Sequence, residues 1–340
     1  MTDSSNNFMT LRPRDASKLV QLSRKTNIPL MLWGPPGVGK TSIVRDVAVQ
    51  EKVMCHTIAL TLMDPTDLSG LPVVNEDRTA VRWIPLGELP TGGEGYLFFD
   101  EINTADPSVM AAAMRLVLEG RLGEYTMPPG WARIAAGNRV EDAASANHMP
   151  SALSDRFMHA TLEVNSEDWI DWSNNNGIDP VLTAFIAYRP QLLHDFSPRG
   201  TVNTTPRGWA DVAKIITKTG GMADAVALAA VSGRVGAGPA IELRAFVETW
   251  MSLPAIEPIL DGADTDSHSK MKKPAVRYAV TMALAATMAD KPKPGRLKNM
   301  TAWLNNMGPE FTRLGVLAAV RRNPSLASST DYLRHVTGQD

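Results

Sequence analysis

A glycine-rich turn between an apolar run and a helix-like segment constrains this chain more than any other feature. The run ends at Trp33 and is followed by Gly34-Pro35-Pro36-Gly37-Val38-Gly39-Lys40-Thr41. The glycines that bracket this turn, with the lysine and threonine, fit the G-x-x-x-x-G-K-[ST] pattern of a phosphate-binding loop. Glycines let backbone N–H groups turn inward, and the start of the next helix adds unpaired donors for phosphate oxygens.

The loop predicts a site for a nucleoside triphosphate. Lys40 is predicted to reach the β- and γ-phosphates, and the Thr41 hydroxyl to take a place on Mg²⁺. The alternative is a strand-to-helix turn that binds nothing, which the apolar run before the loop and the helix after it disfavour. The predicted nucleotide-binding residues are Gly34, Pro35, Pro36, Gly37, Val38, Gly39, Lys40, Thr41 and Ser42.

An acidic pair, Asp100-Glu101, follows a second apolar run, Gly95 to Phe99. At the carboxyl end of a parallel strand, such a pair lies where open α/β sheets bind ligands. Asp100 is predicted to hold Mg²⁺ through the water shell of the ion, beside Thr41, and Glu101 to act as general base on a water near the γ-phosphate. The alternative is an acidic turn at a strand end with no chemistry.

Three further polar residues are candidates for the same chemistry. Asn138 ends another apolar run and is predicted to orient the attacking water; the alternative is a turn-forming asparagine. Arg156 precedes the last predicted strand, and its planar charged fork suits γ-phosphate stabilisation, often from a neighbouring subunit. The alternative for Arg156 is a surface ion pair made by Asp155 with a neighbour, which contributes little to stability.

A third arginine is expected to come from the helical part of the chain. Arg199 and Arg207 both lie in Pro-Arg-Gly sequences, so the assignment is ambiguous. We favour Arg207, because it opens an amphipathic segment and nothing comparable follows Arg199. The predicted catalytic residues are Glu101, Asn138, Arg156 and Arg207.

Strand-like and helix-like segments alternate up to about residue 165, and helix-like segments follow one another after it. Alternation of this kind predicts a parallel sheet covered by helices on both faces. We interpret residues 64–72 as a turn-rich loop, residues 150–157 as a short helix and residues 261–273 as a mobile loop. The predicted strands are Ile28–Trp33, Val53–Leu60, Gly95–Phe99, Trp131–Ala136 and Met158–Val164.

Bulk properties exclude several classes of protein. A net charge of −2 over 340 residues argues against a general polyanion-binding surface. The single cysteine, Cys55, cannot form an internal disulfide and is expected to be a packed thiol in a reducing compartment. The N-terminal residues lack a signal-peptide pattern, and no apolar run approaches the length of a bilayer span. We therefore expect a cytoplasmic protein.

Over residues 28–215 the sequence resembles the AAA+ ATPases, and among them the MoxR family with its CbbQ-like relatives. The Walker A motif falls on residues 34–41, and the Walker B motif on Asp100-Glu101. The sensor-1 residue falls on Asn138, the sensor-2 arginine on Arg207 and the arginine finger on Arg156. Stretches that resemble this branch in particular are Asp67-Leu68-Ser69-Gly70 with Trp83-Ile84-Pro85, Asp100-Glu101-Ile102-Asn103, and Glu119-Gly120-Arg121. Thr104 departs from the family, which often has arginine there.

The resemblance implies an α/β fold with a parallel, five-stranded-type P-loop (AAA+) sheet and helices on both faces. An all-helical lid and a C-terminal helical extension would follow, which gives predicted domains of 1–165, 166–250 and 251–340. It further implies ATP and Mg²⁺ as cofactors, and a homo-oligomeric ring, commonly a hexamer, with ATP between neighbours. Loops 61–72 and 119–130 would project toward the pore or a ring face.

Family members remodel or activate other proteins, often beside a separate partner with a metal-binding von Willebrand factor A-type domain. We therefore expect Mg-dependent ATP hydrolysis that drives remodelling of a protein client. One alternative is a nucleic-acid-dependent motor or loader on the same fold. The near-neutral charge weighs against it, and the basic residues between 270 and 298 are expected to be solvated, since no aromatic residues interleave them. The other alternative is a nucleotide-gated assembly scaffold.

Overall fold

The structure is a computed structural model that describes residues 8–84, 87–139, 142, 147, 149, 154–197, 200–329 and 332. The chain divides into two compact units, Met1–Asn165 with Phe196–Arg199, and Ser166–Asp195 with Gly200–Asp340. The second unit contains the predicted extension and, apart from residues 196–199, the predicted lid; a division at residue 250 stays a prediction.

The first unit is built on a six-stranded parallel sheet. Its strands, in their order across the sheet, are β1 (Thr10–Leu11), β10 (Met158–Leu162), β2 (Leu30–Trp33), β9 (Trp131–Gly137), β6 (Gly95–Asp100) and β3 (Met54–Ala59). The five expected strands are all present, and a short strand, β1, adds a sixth at the edge. β1 forms because the first helix begins only at Pro13, which leaves Thr10 free to pair with Thr161.

Side chains of the central strands alternate between two buried layers, as a sheet covered on both faces requires. In β6, Tyr96 and Phe98 pack in one apolar cluster, whereas Leu97 and Phe99 pack in the other. The first cluster also contains residues of α1 (Pro13–Thr26) and α2 (Lys40–Glu51), and the second contains residues of α4 (Pro107–Glu119). The helices therefore cover both faces, as predicted.

The strand order decides which loops meet. β9 lies between β2 and β6, with Trp33 of β2 paired to Gly137 and Phe99 of β6 paired to Ala135. Because all these strands are parallel, their carboxyl ends lie at one edge of the sheet. The residue that follows β9 is therefore flanked by the glycine-rich loop on one side and the acidic pair on the other.

The stretch predicted as a turn-rich loop at 64–72 contains a short helix instead, α3 (Pro65–Ser69). The loop prediction was wrong there because Asp64 and Asp67 form a capping box, in which the Asp64 N–H donates to the Asp67 carboxylate across 2.8 Å. Two antiparallel hairpins follow along the chain. They are β4 (Leu71–Val74) with β5 (Val81–Ile84), and β7 (Arg121–Leu122) with β8 (Tyr125–Thr126).

The second unit is helical over its described residues. Several of its helices begin with proline at the first helical position, where the missing N–H costs nothing. None of the described helices is long and apolar enough to cross a membrane. The helices are Ser166–Asn175, Pro180–Tyr188, Pro206–Thr219, Ala225–Val235, Ala237–Met251, Ile256–Leu260, Pro274–Asp290, Arg296–Asn305 and Pro309–Arg322.

One basic residue predicted to be solvated is buried. The Arg296 side chain is 2% exposed and donates to both carboxylate oxygens of Asp261, at 2.7 and 3.1 Å. The prediction was wrong because Arg296 opens a helix whose next residue, Leu297, lies in the apolar core, so the guanidinium is drawn in and needs an anionic partner. Lys291 is likewise paired, with Glu257 at 2.7 Å.

Candidate functional site

The glycine-rich loop joins β2 to α2 as predicted. The helix begins at Lys40, and Gly39 precedes it with φ of 104°, a left-handed conformation that side-chain-bearing residues rarely adopt. Gly37 also has a positive φ, of 80°. These conformations belong to the loop that carries all nine predicted nucleotide-binding residues.

Lys40 is buried, with 7% of the residue exposed. Its Nζ donates to the carbonyl oxygens of Gly34 and Pro35, at 2.6 and 3.1 Å, and to Oδ1 of Asn138 at 3.0 Å. A buried ammonium needs such acceptors, because removing a charge from water without partners is costly. The lysine thus links the loop to the end of β9, where a phosphate would compete with neutral acceptors for its N–H groups.

A hydrogen bond joins Thr41, beside Lys40 in the loop, to Asp100 at the end of β6. The Thr41 hydroxyl donates to Oδ2 of Asp100 across 2.8 Å. Mg²⁺ prefers oxygen ligands and is usually held by one or two protein groups together with phosphates and waters. The two oxygens fit this pattern, and no cluster of three or more metal-binding side chains occurs among the residues that the structure describes.

Glu101 lies in a tight turn that follows the end of β6. Its φ is 55°, a left-handed value that is uncommon for a residue with a side chain. Thr104 closes the turn, because its N–H and its hydroxyl both donate to the Glu101 carbonyl oxygen, at 3.0 and 2.8 Å. The Glu101 side chain is exposed at the carboxyl edge of the sheet. Thr104, the departure from the resembled family, therefore caps the turn.

Asn138 is buried, with 4% exposed, and its surroundings contain a residue whose contacts the sequence did not predict. The Asn103 amide donates from Nδ2 to the Asn138 carbonyl oxygen at 2.8 Å and accepts from the Asn138 N–H at 3.1 Å. The only sequence signal was the position of Asn103 within Asp100-Glu101-Ile102-Asn103. Nothing in that spacing says that the amide turns toward β9.

The two predicted arginines that the structure describes, Arg156 and Arg207, are both exposed. Arg156 belongs to the first unit and is exposed. Arg207 is exposed in the first turn of Pro206–Thr219, where the Thr205 hydroxyl accepts from the Gly208 N–H at 3.0 Å. Arg207 lies in the second unit. Arg199, Pro85 and residues 150–153 of the predicted helix lie outside the described residues.

A histidine contacts Trp33, the residue that precedes the glycine-rich loop. His159 of β10 accepts at Nδ1 from the Trp33 indole N–H, at 2.9 Å, and its Nε2 lies 2.7 Å from the Ser154 carbonyl oxygen. Burial lowers the pKa of His159, and the hydrogen bond to Ser154 partly opposes this. These contacts indicate a neutral ring with its proton on Nε2. Burial also raises the pKa of Cys55, which packs against the apolar cluster as a thiol.

Comparison with known proteins gives the class of this domain. Residues 29–157 match the family model of the AAA domain, dynein-related subfamily. Midasin from Giardia intestinalis is 26% identical over 171 residues, which is 47% of this chain and 4% of Midasin. The chain thus corresponds to a small part of that relative's length.

Two similar solved structures have low scores. The Holliday junction branch migration motor RuvB from Thermotoga maritima is 15% identical, with a TM-score of 0.39, over 84% of this chain and 86% of that one. NtrX from Brucella abortus is 13% identical, with a TM-score of 0.42, over 91% of this chain and 67% of that one. Scores below 0.5 do not transfer function. The family model, which matches residues 29–157, supports an AAA domain with ATPase activity in that part of the chain.

Proposed function

We propose that this chain hydrolyses ATP in a Mg-dependent manner within an oligomeric ring and uses the cycle to remodel or activate a partner protein, in the manner of MoxR-like ATPases. The observation that carries the hydrolytic part is the convergence of Lys40, Thr41, Asp100 and Asn138 at one edge of the sheet. Three separate segments meet there, and each contributes the residue type that phosphoryl transfer needs.

Each residue has a role that follows from its place. The loop N–H groups and Lys40 bind the phosphates, and Thr41 and Asp100 supply oxygen ligands to Mg²⁺. Bound Mg²⁺ would neutralise charge on the β- and γ-phosphates. Glu101 accepts a proton from the attacking water, which the Asn138 amide orients. Arg156 and Arg207 are proposed to stabilise charge on the transferred phosphate, Arg156 from a neighbouring subunit.

Turnover measured on Glu101→Gln tests the assignment of the base. We expect hydrolysis to slow by roughly 10²–10⁴-fold, the usual loss when a positioned general base is removed, with ATP binding retained. Glu163→Gln is the matched control, because Glu163 is an exposed glutamate at the end of the same sheet. Equal rates for wild type and Glu101→Gln would contradict the proposed chemistry.

Mixing two inactive variants tests the ring. A Glu101→Gln protomer keeps Arg156, and an Arg156→Ala protomer keeps its own base. If the arginine acts on the neighbour's nucleotide, random mixing restores roughly a quarter of the sites. Turnover should therefore reappear when the two inactive proteins are mixed. A mixture as inactive as its components would show that Arg156 acts within its own chain or not at all.

The hairpin of β4 and β5 supports a protein client. The cross-strand pair Leu71 and Ile84 exposes apolar side chains on one face, at 66% and 49% exposure, and Val73 joins them on that face at 39%. Apolar groups exposed together in this way mark interaction surfaces. We expect Glu101→Gln with ATP to retain a client that Lys40→Ala does not. Adding Leu71→Ser and Ile84→Ser to Glu101→Gln should abolish that retention without changing ATP binding.

The nucleic-acid alternative has less support. In the basic stretch between 270 and 298, Arg296 is buried against Asp261 and Lys291 pairs with Glu257, so acidic residues interrupt it. A polyanion would have to compete with these carboxylates. Stimulation of turnover by DNA or RNA that falls steeply with salt would reverse this preference.

A further inference from the structure

The buried amide of Asn103 joins the parts of the site that must act together. The residue is 1% exposed, so both polar atoms of its side chain need partners inside the protein. Nδ2 donates to the Asn138 carbonyl oxygen at 2.8 Å, and Oδ1 accepts from the Asn138 N–H at 3.1 Å. This reciprocal pair holds the backbone of Asn138 in one orientation, and therefore fixes the direction of its side chain.

Asn103 also holds a third segment. Its Nδ2 donates to the Asn147 carbonyl oxygen at 3.1 Å, and its own carbonyl oxygen accepts from the Asn147 N–H at 2.8 Å. Both donors of the amide are thus used, one on each neighbouring segment. An aspartate or a leucine of similar size could not make this set of contacts at neutral pH.

Gly137 provides the space for this amide. A Cβ at this position would lie 2.5 Å from Oδ1 and 3.1 Å from Cγ of Asn103, and 2.6 Å from the Met31 methyl group. Gly137 is not among the residues with positive φ, so the backbone itself would accept alanine. Gly137 is therefore needed so that the Asn103 amide can approach the end of β9 closely. The contact can be disturbed by a substitution at Asn103 or at Gly137.

The turn that carries Glu101 is fastened to the same place. The Ile102 N–H donates to the Ala136 carbonyl oxygen at 2.9 Å, one residue after Glu101 and one before Asn103. Two consecutive residues thus attach the Glu101 turn to the end of β9. A displacement of Asn138 would be transmitted to this turn through these short hydrogen bonds.

We propose that Asn103 is a positioning residue that sets the orientation of Asn138 relative to Glu101, so that contact of Asn138 with the γ-phosphate and activation of water by Glu101 occur in one geometry. This inference rests on the proposed function. It requires that Asn103 variants lose turnover while still binding ATP, because Asn103 contacts neither the phosphate loop nor the metal ligands through the bonds described above.

The test compares Asn103→Ala, Asn103→Asp and Gly137→Ala with wild type and Glu101→Gln. We expect kcat to fall by roughly 10–100-fold in all three, with KM and the Kd for ATP changed by less than about threefold, since a misplaced group loses transition-state contacts only. Asn103→Asp adds a second readout. Protonated aspartate can restore one of the two bonds that the amide donates, so the activity of this variant relative to wild type should rise between pH 8 and pH 6.

The outcomes separate the two claims. Equal turnover of wild type and Glu101→Gln would overturn the proposed function, and this inference with it. A large Glu101→Gln effect with wild-type kcat in the Asn103 and Gly137 variants would overturn the inference alone. A loss of ATP binding in step with the loss of kcat would also overturn it, because that result indicates a purely structural role. A loss of activity in Asn103→Asp that does not change with pH would overturn it as well. The thermal midpoint of each variant identifies any that fails to fold. If Asn103→Ala or Gly137→Ala does not fold, the test rests on Asn103→Asp, because aspartate is closest in shape to asparagine.

Discussion

The hydroxyl of Thr41 donates a hydrogen bond to the carboxylate of Asp100 across 2.8 Å, although the two residues are 59 positions apart in the chain. Thr41 lies in the first turn of α2, the helix that follows β2, and Asp100 is the last residue of β6. In the sheet, β9 separates β2 from β6. The parallel arrangement alone brings them to the same edge. Both oxygens are suited to Mg²⁺, and we propose that the ion binds beside this pair.

Thr41→Ala should separate metal dependence from nucleotide recognition. We expect it to lower turnover by about 10²-fold at low Mg²⁺, with partial recovery as Mg²⁺ is raised, because one oxygen ligand is lost. Thr41→Ser keeps the hydroxyl and is the matched control. Turnover measured over a range of Mg²⁺ concentrations checks this, and an unchanged Mg²⁺ dependence in Thr41→Ala would contradict the assignment.

Asn138→Asp should weaken ATP binding more than ADP binding. A carboxylate in place of the amide would lie about 3 Å from the Lys40 ammonium and hold it by charge, and it would also repel a γ-phosphate placed beside it. We expect roughly tenfold loss of affinity for ATP and a smaller loss for ADP, measured by titration calorimetry. Asn306→Asp, an exposed change in the second unit, controls for added charge. Equal losses for both nucleotides would place the γ-phosphate elsewhere.

Gly39→Ala should destabilise the protein because of backbone conformation. Its φ is 104°, and a Cβ there would meet nothing within 4 Å, so any cost comes from strain rather than from collision. We expect a loss of about 1–2 kcal/mol in the free energy of unfolding, together with loss of nucleotide binding. Gly233 also has open space but lies within a helix without positive φ. Gly233→Ala should stabilise by about 0.5–1 kcal/mol, and denaturant titration compares the two.

Stability should fall as the pH falls from neutrality, in part because of His159. Its folded pKa is lowered by burial, below the ordinary value of 6.5, so the unfolded state binds a proton more readily. The stability contributed by the neutral ring is present above about pH 6.5 and is lost as pH falls through the folded pKa. His159→Gln should flatten the dependence of the thermal midpoint on pH between 7 and 5. A slope equal to that of wild type would show that other groups cause the dependence.

Much of the site could be predicted from local sequence because phosphate binding is local chemistry. The glycine-rich loop, its lysine and threonine, and the start of the helix lie within a dozen residues, and each position has a backbone or charge requirement of its own. The strands were likewise recognisable as apolar runs, since both faces of a parallel sheet are buried. The short helix at Pro65–Ser69 was missed because its caps, Asp64 and Asp67, also suit a loop.

Contacts between distant segments could not be predicted in the same way. Arg296 was expected to be solvated, and only the folded core shows that its charge is buried against Asp261. The reciprocal bonds of Asn103 with Asn138 depend on β6 and β9 being neighbours and on the space that Gly137 leaves. Neither condition is visible in residue type or spacing.

The sequence by itself determined the chemistry available to this protein: a phosphate loop, an acidic strand end and a polar amide at a third strand end. It did so because backbone conformation and charge at those positions depend on neighbours in the chain. The tertiary structure decided how these groups are joined, placing β9 between the other two strands so that Lys40 and Asn103 both reach Asn138. Hydrogen bonds act over about 3 Å, so only the order of the packed strands could determine that the Asn103 amide bonds to Asn138.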